Sequence, residues 1–134
     1  MIDSVFVYGT LKQGQCRESL WPCAAKTIQP AWAFGTLYGR KDYPAMTIGT
    51  DRVRGEHRAF AVEELPIVLD RLDSIEGANQ HGCDDLYRRV CVDVFDLNGN
   101  RLGQAYGYHY ATDPQRDGFQ KIDATNENGF VIWP

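Results

Sequence analysis

The chain has 134 residues, 43% of them hydrophobic, and a formal net charge of −4 with no block of like charges. That length fits one domain spanning residues 1–134, and the apolar fraction supplies one real core and excludes disorder. No basic stripe is present, which excludes a nucleic-acid-binding footprint.

The N-terminus, MIDSVFVYG, lacks the basic region and long apolar stretch of a secretory signal. No segment approaches the ~20 apolar residues that cross a bilayer, so a cytoplasmic setting without a membrane partner is expected. Cys16, Cys23, Cys83 and Cys91 form no Cys-x-x-Cys pair, and in a reducing cytosol they are expected as free thiols. His57, His81 and His109 stand singly, so the close spacing of metal ligands is missing.

In chain order, Ser4 to Tyr8 is an apolar run that stops at Gly9, the pattern of a strand buried on both faces. Residues Ile28 to Tyr38 alternate Trp32, Phe34, Thr36 and Tyr38 against the smaller Ala31, Ala33, Gly35 and Leu37. Shorter strands are expected at Ala45 to Ile48 and at Val53 to Val62. Leu86 to Phe95 and Leu102 to Tyr110 flank Asn98-Gly99-Asn100, a hairpin signal. One helix interrupts them: Glu63, Glu64 and Pro66 suit its start, and Gly77 suits its stop. Leu65, Val68, Leu69, Leu72 and Ile75 recur between at helical spacing. The expected fold is α+β, a small mixed β-barrel of about six strands closed by one main helix. The polar tail after Thr112, with late apolar residues Phe130 to Trp133, is expected to dock on the body.

Glu76 is the residue out of place. At about 100° per residue, Leu65, Leu69, Leu72 and Glu76 fall within a sector of roughly 60°, and Asp70 and Asp73 fall toward the other side. A carboxylate on the core stripe loses water, and the negative end of the helix dipole repels it. Both effects raise its pKa, which suits proton exchange near neutral pH. Periodicity alone leaves open a second reading, in which the helix frays and Glu76 swings into solvent.

The segment Tyr8-Gly9-Thr10-Leu11-Lys12-Gln13-Gly14 breaks a buried strand at glycine. Its N–H groups have no strand partner and are free to converge on an anion. It lacks the Gly-Lys-Ser/Thr ending of a phosphate loop, and an ordinary strand exit has the same pattern. Tyr106, Tyr108 and Tyr110 share one face of the last strand, where barrel packing and a hydrogen bond to a ligand both suit a phenol. A thiol nucleophile would need a histidine that no spacing supplies. A glycosidase pair of Asp73 and Glu76 would sit on one short helix rather than flank a cleft.

These residues together are familiar. Val5-Phe6-Val7-Tyr8-Gly9-Thr10-Leu11, Tyr43-Pro44-Ala45, Leu72-Asp73-Ser74-Ile75-Glu76-Gly77 and Tyr87-Arg88-Arg89-Val90, in that order, resemble the γ-glutamylcyclotransferase-like family. The likeness is greatest to its γ-glutamylamine cyclotransferase branch and covers about Val5 to Tyr110. The resemblance implies a compact mixed barrel with a pocket at one mouth, and Glu76 as catalytic glutamate. It also implies that Tyr8, Gly9, Thr10 and Leu11 hold the amino-acid end of a γ-glutamyl substrate, with Tyr87 and Tyr110 as further pocket residues. Tyr87 shares the strand parity of Arg89 and Cys91, opposite the valines read as core, so either a bulge re-aims it or it is not a pocket residue.

The implied reaction is an intramolecular aminolysis releasing 5-oxoproline and a free amine. It needs an acid and a base but no metal or cofactor, and the expected partner is a small γ-glutamyl molecule. The alternatives are a non-enzymatic module that binds an amino-acid-like ligand on the same scaffold, and another acyl transfer from a γ-glutamyl carrier.

Overall fold

The computed structural model describes residues 2–80, 82, 84–123 and 128–133; His81 and Cys83 lie outside the described residues. The elements are β1 (Ser4–Val7), β2 (Thr27–Gly39), β3 (Pro44–Ala59), α1 (Leu65–Glu76), β4 (Tyr87–Phe95), β5 (Arg101–Tyr110), β6 (Gln120–Lys121) and β7 (Phe130–Val131). Five strands close a mixed barrel in the order β2-β4-β5-β1-β3, with β3 pairing back onto β2. Within it β1 and β5 run parallel and the other neighbours antiparallel.

The strands expected at Ala45 to Ile48 and Val53 to Val62 are one long strand, β3, which ends at Ala59; Val62 opens a 3-10 turn instead. Gly35 pairs with Asp51 but Thr36 pairs with Thr47, so Ile48 to Thr50 bulge out of the ladder. That local irregularity is what made one strand look like two. The tail docks as anticipated: β6 adds to β2 and β7 adds to β3.

Two cores result. Ala31, Ala33 and Leu37 of β2 point into the barrel with Phe6, Met46, Val53, Val94, Ala105 and Val131. Small residues on β2 leave room inside a narrow five-strand barrel for Phe6 and Met46. The large residues of β2 therefore lie outside, where Trp32 stacks on Phe95 at 4.4 Å between centroids. The second core lies between the barrel wall and α1, where Leu65, Val68 and Leu72 pack with Val5, Val7, Tyr87, Tyr108 and Tyr110. Full burial of residues such as Val68 and Leu72 contributes about 1.5–3 kcal/mol each. β1 serves both cores, with Val5 and Val7 toward the helix and Phe6 and the following Tyr8 toward the barrel interior.

α1 runs out at Gly77, which adopts the left-handed conformation (φ 66°) and donates its N–H to the Asp73 carbonyl. The helix is therefore intact through Glu76. Two expectations need correction. Asp73 does not turn to solvent; it is buried, because β4 and β5 cover that side of the helix with Arg89 and Tyr108. No bulge re-aims Tyr87, since β4 keeps its register on β5 from Tyr87–Tyr110 to Val94–Gly103. The face of β4 that Tyr87 shares with Arg89 is covered by the helix layer at that end, while the opposite face is exposed at Arg88, so the interior side changes along the strand.

Candidate active site

A cavity of about 130 Å³ opens where β1 runs into its exit loop and α1 ends. Tyr8, Gly9, Thr10, Leu11, Glu76 and Tyr87, six of the seven residues singled out in the sequence, line it. Tyr110 does not. Its hydroxyl donates to Asp117 at 2.6 Å and its ring packs on Phe119, and burial with the Asp117 charge pushes its pKa up to about 12. Tyr108, one strand alternation earlier, lines the cavity instead.

The loop is held from outside. Leu11's carbonyl accepts hydrogen bonds from Trp21 Nε1 at 2.9 Å and Arg58 Nη2 at 3.5 Å, and Arg58 lies over the Trp21 ring. The N–H groups of Lys12, Gln13 and Gly14 donate to the Gly9 carbonyl, the Glu56 carboxylate and Glu18 Oε1. Those of Gly9, Thr10 and Leu11 have no acceptor among the described residues, although all three residues are buried. Buried N–H groups are costly unless satisfied, and the cavity that these three residues line is open to an incoming acceptor. Gly9 is required sterically as well: a Cβ there would lie 2.6 Å from Pro44 Cγ.

Tyrosines fix the walls. The Tyr8 hydroxyl donates to the Tyr108 carbonyl at 2.6 Å and accepts from the Met46 N–H at 3.2 Å. Tyr87 donates to the Pro44 carbonyl at 2.7 Å. Burial raises both phenol pKa values, with the Glu76 charge adding to it, so both stay neutral hydrogen-bonding groups.

Two carboxylates one helical turn apart meet different environments. Asp73 accepts from Tyr108 at 2.6 Å, Arg89 at 2.9 Å and Asn79 at 3.2 Å. Glu76 makes no hydrogen bond among the described residues and faces the cavity. Burial pushes its carboxyl up from 4.5 to about 7, against the opposing pull of the Arg17 charge. A carboxyl with that proton affinity and open coordination accepts and returns a proton near neutral pH.

Sequence reasoning missed Arg17, Pro44 as the loop's steric stop, Tyr108 and the role of Asp73. Pro44 and Asp73 stood inside noted motifs; Tyr108 was one of three equivalent tyrosines until the helix position was known. Nothing in the sequence marked Arg17.

The family model described as gamma-glutamyl cyclotransferase, AIG2-like, matches residues 5–126. The chain belongs to that family. Among solved structures, this family member resembles a mouse AIG2-like protein, with 21% identity, TM-score 0.61, and 99% of this chain covering 96% of that one. It also resembles an uncharacterized protein, PH0828, from Pyrococcus horikoshii (21% identity, TM-score 0.59, 84% of this chain and 80% of that chain). The Bacillus subtilis protein YkqA shares 21% identity and TM-score 0.62 over 91% of this chain but 38% of its own length. At these identities the likenesses show the α+β barrel fold. Among curated proteins none matches the chain. No helix of the described residues is long and apolar enough to cross a membrane.

Proposed function

We propose that this family member is a γ-glutamyl cyclotransferase that releases 5-oxoproline and a free amine from a γ-glutamyl amine or γ-glutamyl amino compound. The observation that carries the reading is Glu76, a carboxyl held without a hydrogen bond at a cavity wall and raised to about 7. Opposite roles fall to the free N–H groups of Gly9, Thr10 and Leu11, which receive the substrate carboxylate or the developing oxyanion.

In the proposed reaction Glu76 takes a proton from the substrate's α-ammonium. The freed α-amine attacks the γ-carbonyl carbon, forming the lactam C–N bond. The γ-amide C–N bond breaks as Glu76 returns the proton to the leaving nitrogen, and the second proton shed by the lactam nitrogen goes to the released amine, which departs as its ammonium form. Holding amine and carbonyl together removes an encounter cost. Tyr8 and Tyr87 hold the walls, their hydroxyls being engaged with backbone groups. A cytosolic setting goes with this reading and with the free thiols at Cys16, Cys23 and Cys91.

A panel of γ-glutamyl compounds scored by mass spectrometry for 5-oxoproline tests the proposal. Release by the parent and its loss in Glu76→Gln is the expected result. Tight binding of γ-glutamyl ligands without release by the parent identifies a binding module instead.

A further inference from the structure

Arg17 is a cavity residue with no role in the chemistry above. Its N–H donates to the Thr10 carbonyl at 2.8 Å, so its segment folds back over the loop that carries the free N–H groups. Its partly buried side chain lines the same cavity as Glu76 but makes no hydrogen bond or ion pair among the described residues. Arg58, by contrast, is committed to Glu56 and to the Leu11 carbonyl. An arginine serving only to neutralise Glu76 would form an ion pair with it, and none is formed.

We propose that Arg17 is a substrate-binding residue whose guanidinium, with the free N–H groups of Thr10 and Leu11, takes a carboxylate of the substrate. The inference rests on the cyclotransferase reading for the identity of that substrate. Two carboxylates are available in γ-glutamyl compounds: the α-carboxylate of the glutamyl group and, where the leaving amine is an amino acid, the carboxylate of that amine. The geometry favours the first. The α-carboxylate shares its carbon with the α-amine that must reach Glu76, and Arg17 is near enough to Glu76 to lower its proton affinity. Arg17 is also tied through Thr10 to the loop bearing the free donors. Guanidinium and N–H groups then form one anion subsite, and the α-ammonium is presented to Glu76.

The test compares parent, Arg17→Gln and Arg17→Lys on two substrates, a γ-glutamyl alkylamine and a γ-glutamyl amino acid. It adds calorimetric titration with 5-oxoproline and with its carboxamide, which requires no turnover. Losing one charged hydrogen-bonding partner predicts a KM raised by about tenfold or more in Arg17→Gln for both substrates, with kcat changed less. Arg17→Lys should recover part of the loss, and the parent's preference for 5-oxoproline over its carboxamide should vanish in Arg17→Gln. A KM rise confined to the γ-glutamyl amino acid upholds the carboxylate contact and assigns it to the leaving group. Unchanged KM values with an unchanged preference for the carboxylate overturn the proposal. So does a shift of the pH profile alone, which would mean that Arg17 acts only through Glu76. A parent that releases no 5-oxoproline yet binds it in an Arg17-dependent, carboxylate-dependent way retires the cyclotransferase reading and leaves the anion subsite standing.

Discussion

Asp73 and Glu76 stand one turn apart on α1, and the first accepts three hydrogen bonds while the second accepts none among the described residues. Asp73 is committed to structure: it joins the helix to Tyr108 and Arg89 on the wall behind the cavity. Glu76 is left available for chemistry. The same residue class, on the same helix, is divided between two tasks by what lies opposite.

Replacing Glu76 by Gln preserves size and removes the proton exchange. Turnover should fall by at least about 10²-fold, the usual scale for a general acid/base, with a native circular dichroism spectrum. Near-normal 5-oxoproline release from a folded variant would exclude Glu76 as the acid/base group.

The raised pKa of Glu76 also has a consequence for stability. In the unfolded chain the carboxyl ionises near 4.5, and in the native cavity near 7, so ionisation opposes folding progressively as pH rises through that interval. Glu76→Gln should match the parent below about pH 4 and become the more stable form above about pH 7, by on the order of 3 kcal/mol. Denaturant melts across pH 4 to 8 measure this. A glutamine variant that loses ground as pH rises would mark Glu76 as a stabilising, paired carboxylate. In the same range kcat/KM should climb with pH through about 7, as the free enzyme's base loses its proton.

Asp73→Ala should be costly for a different reason. It strands the Tyr108 hydroxyl and the partly buried Arg89 guanidinium, and breaking such a network costs about 2–4 kcal/mol. Urea denaturation should show that loss, and Tyr108→Phe, which removes one donor only, should cost about 1–2 kcal/mol. Equal stability of Asp73→Ala and parent would mean the network is a surface contact of little worth.

Gly9→Ala places a Cβ 2.6 Å from Pro44 Cγ. Pro44 is held by Tyr87 through its carbonyl, so the loop has to move rather than the proline ring. We expect weaker ligand binding and a lower melting temperature together, seen by titration with 5-oxoproline beside a thermal melt. Unchanged affinity would show that the Gly9 backbone does not border the bound ligand.

The cysteines should be expendable. Cys16 and Cys91 are exposed, and Cys23 lies beside Glu64 rather than a histidine. A form with all four replaced by Ser should retain activity while folded. Inactivation by any single folded cysteine variant would revive a thiol mechanism.

The helix was legible in the sequence because Pro66, the leucine stripe and Gly77 mark its start, face and stop independently. Of the five cavity-lining motif residues besides Glu76, Tyr8 to Leu11 had a local signal in the strand broken at Gly9, whereas Tyr87 followed from the family resemblance alone, its strand parity pointing the other way. Tyr108 and Tyr110 could not be separated, since strand alternation is blind to where along the strand a helix crosses. Asp73 was misplaced for a related reason: a helical wheel says which residues share a stripe, not how wide a surface covers it. The β3 bulge was hidden because three extra residues interrupt the alternation on which a strand is recognised. Arg17 had no local signature at all, as its place at the cavity follows from the chain folding back onto Thr10.

The strand shared by both cores sets the order in which this molecule can be made. β1 precedes both of its partners in the chain, pairing with β3 at Ala59 to Glu56 and with β5 at Tyr106. The hydroxyl of Tyr8 reaches Tyr108, a separation of 100 residues. Until β5 has been synthesised, the barrel has no closing neighbour for β1, and neither core has its full lining. A nascent chain therefore carries β1 with one edge unpaired until β5 emerges, and closure of the barrel has to wait for its most distant contact. Moving the termini by circular permutation, so that β1 follows β5 in the chain, should shorten that wait and speed refolding without altering the cavity.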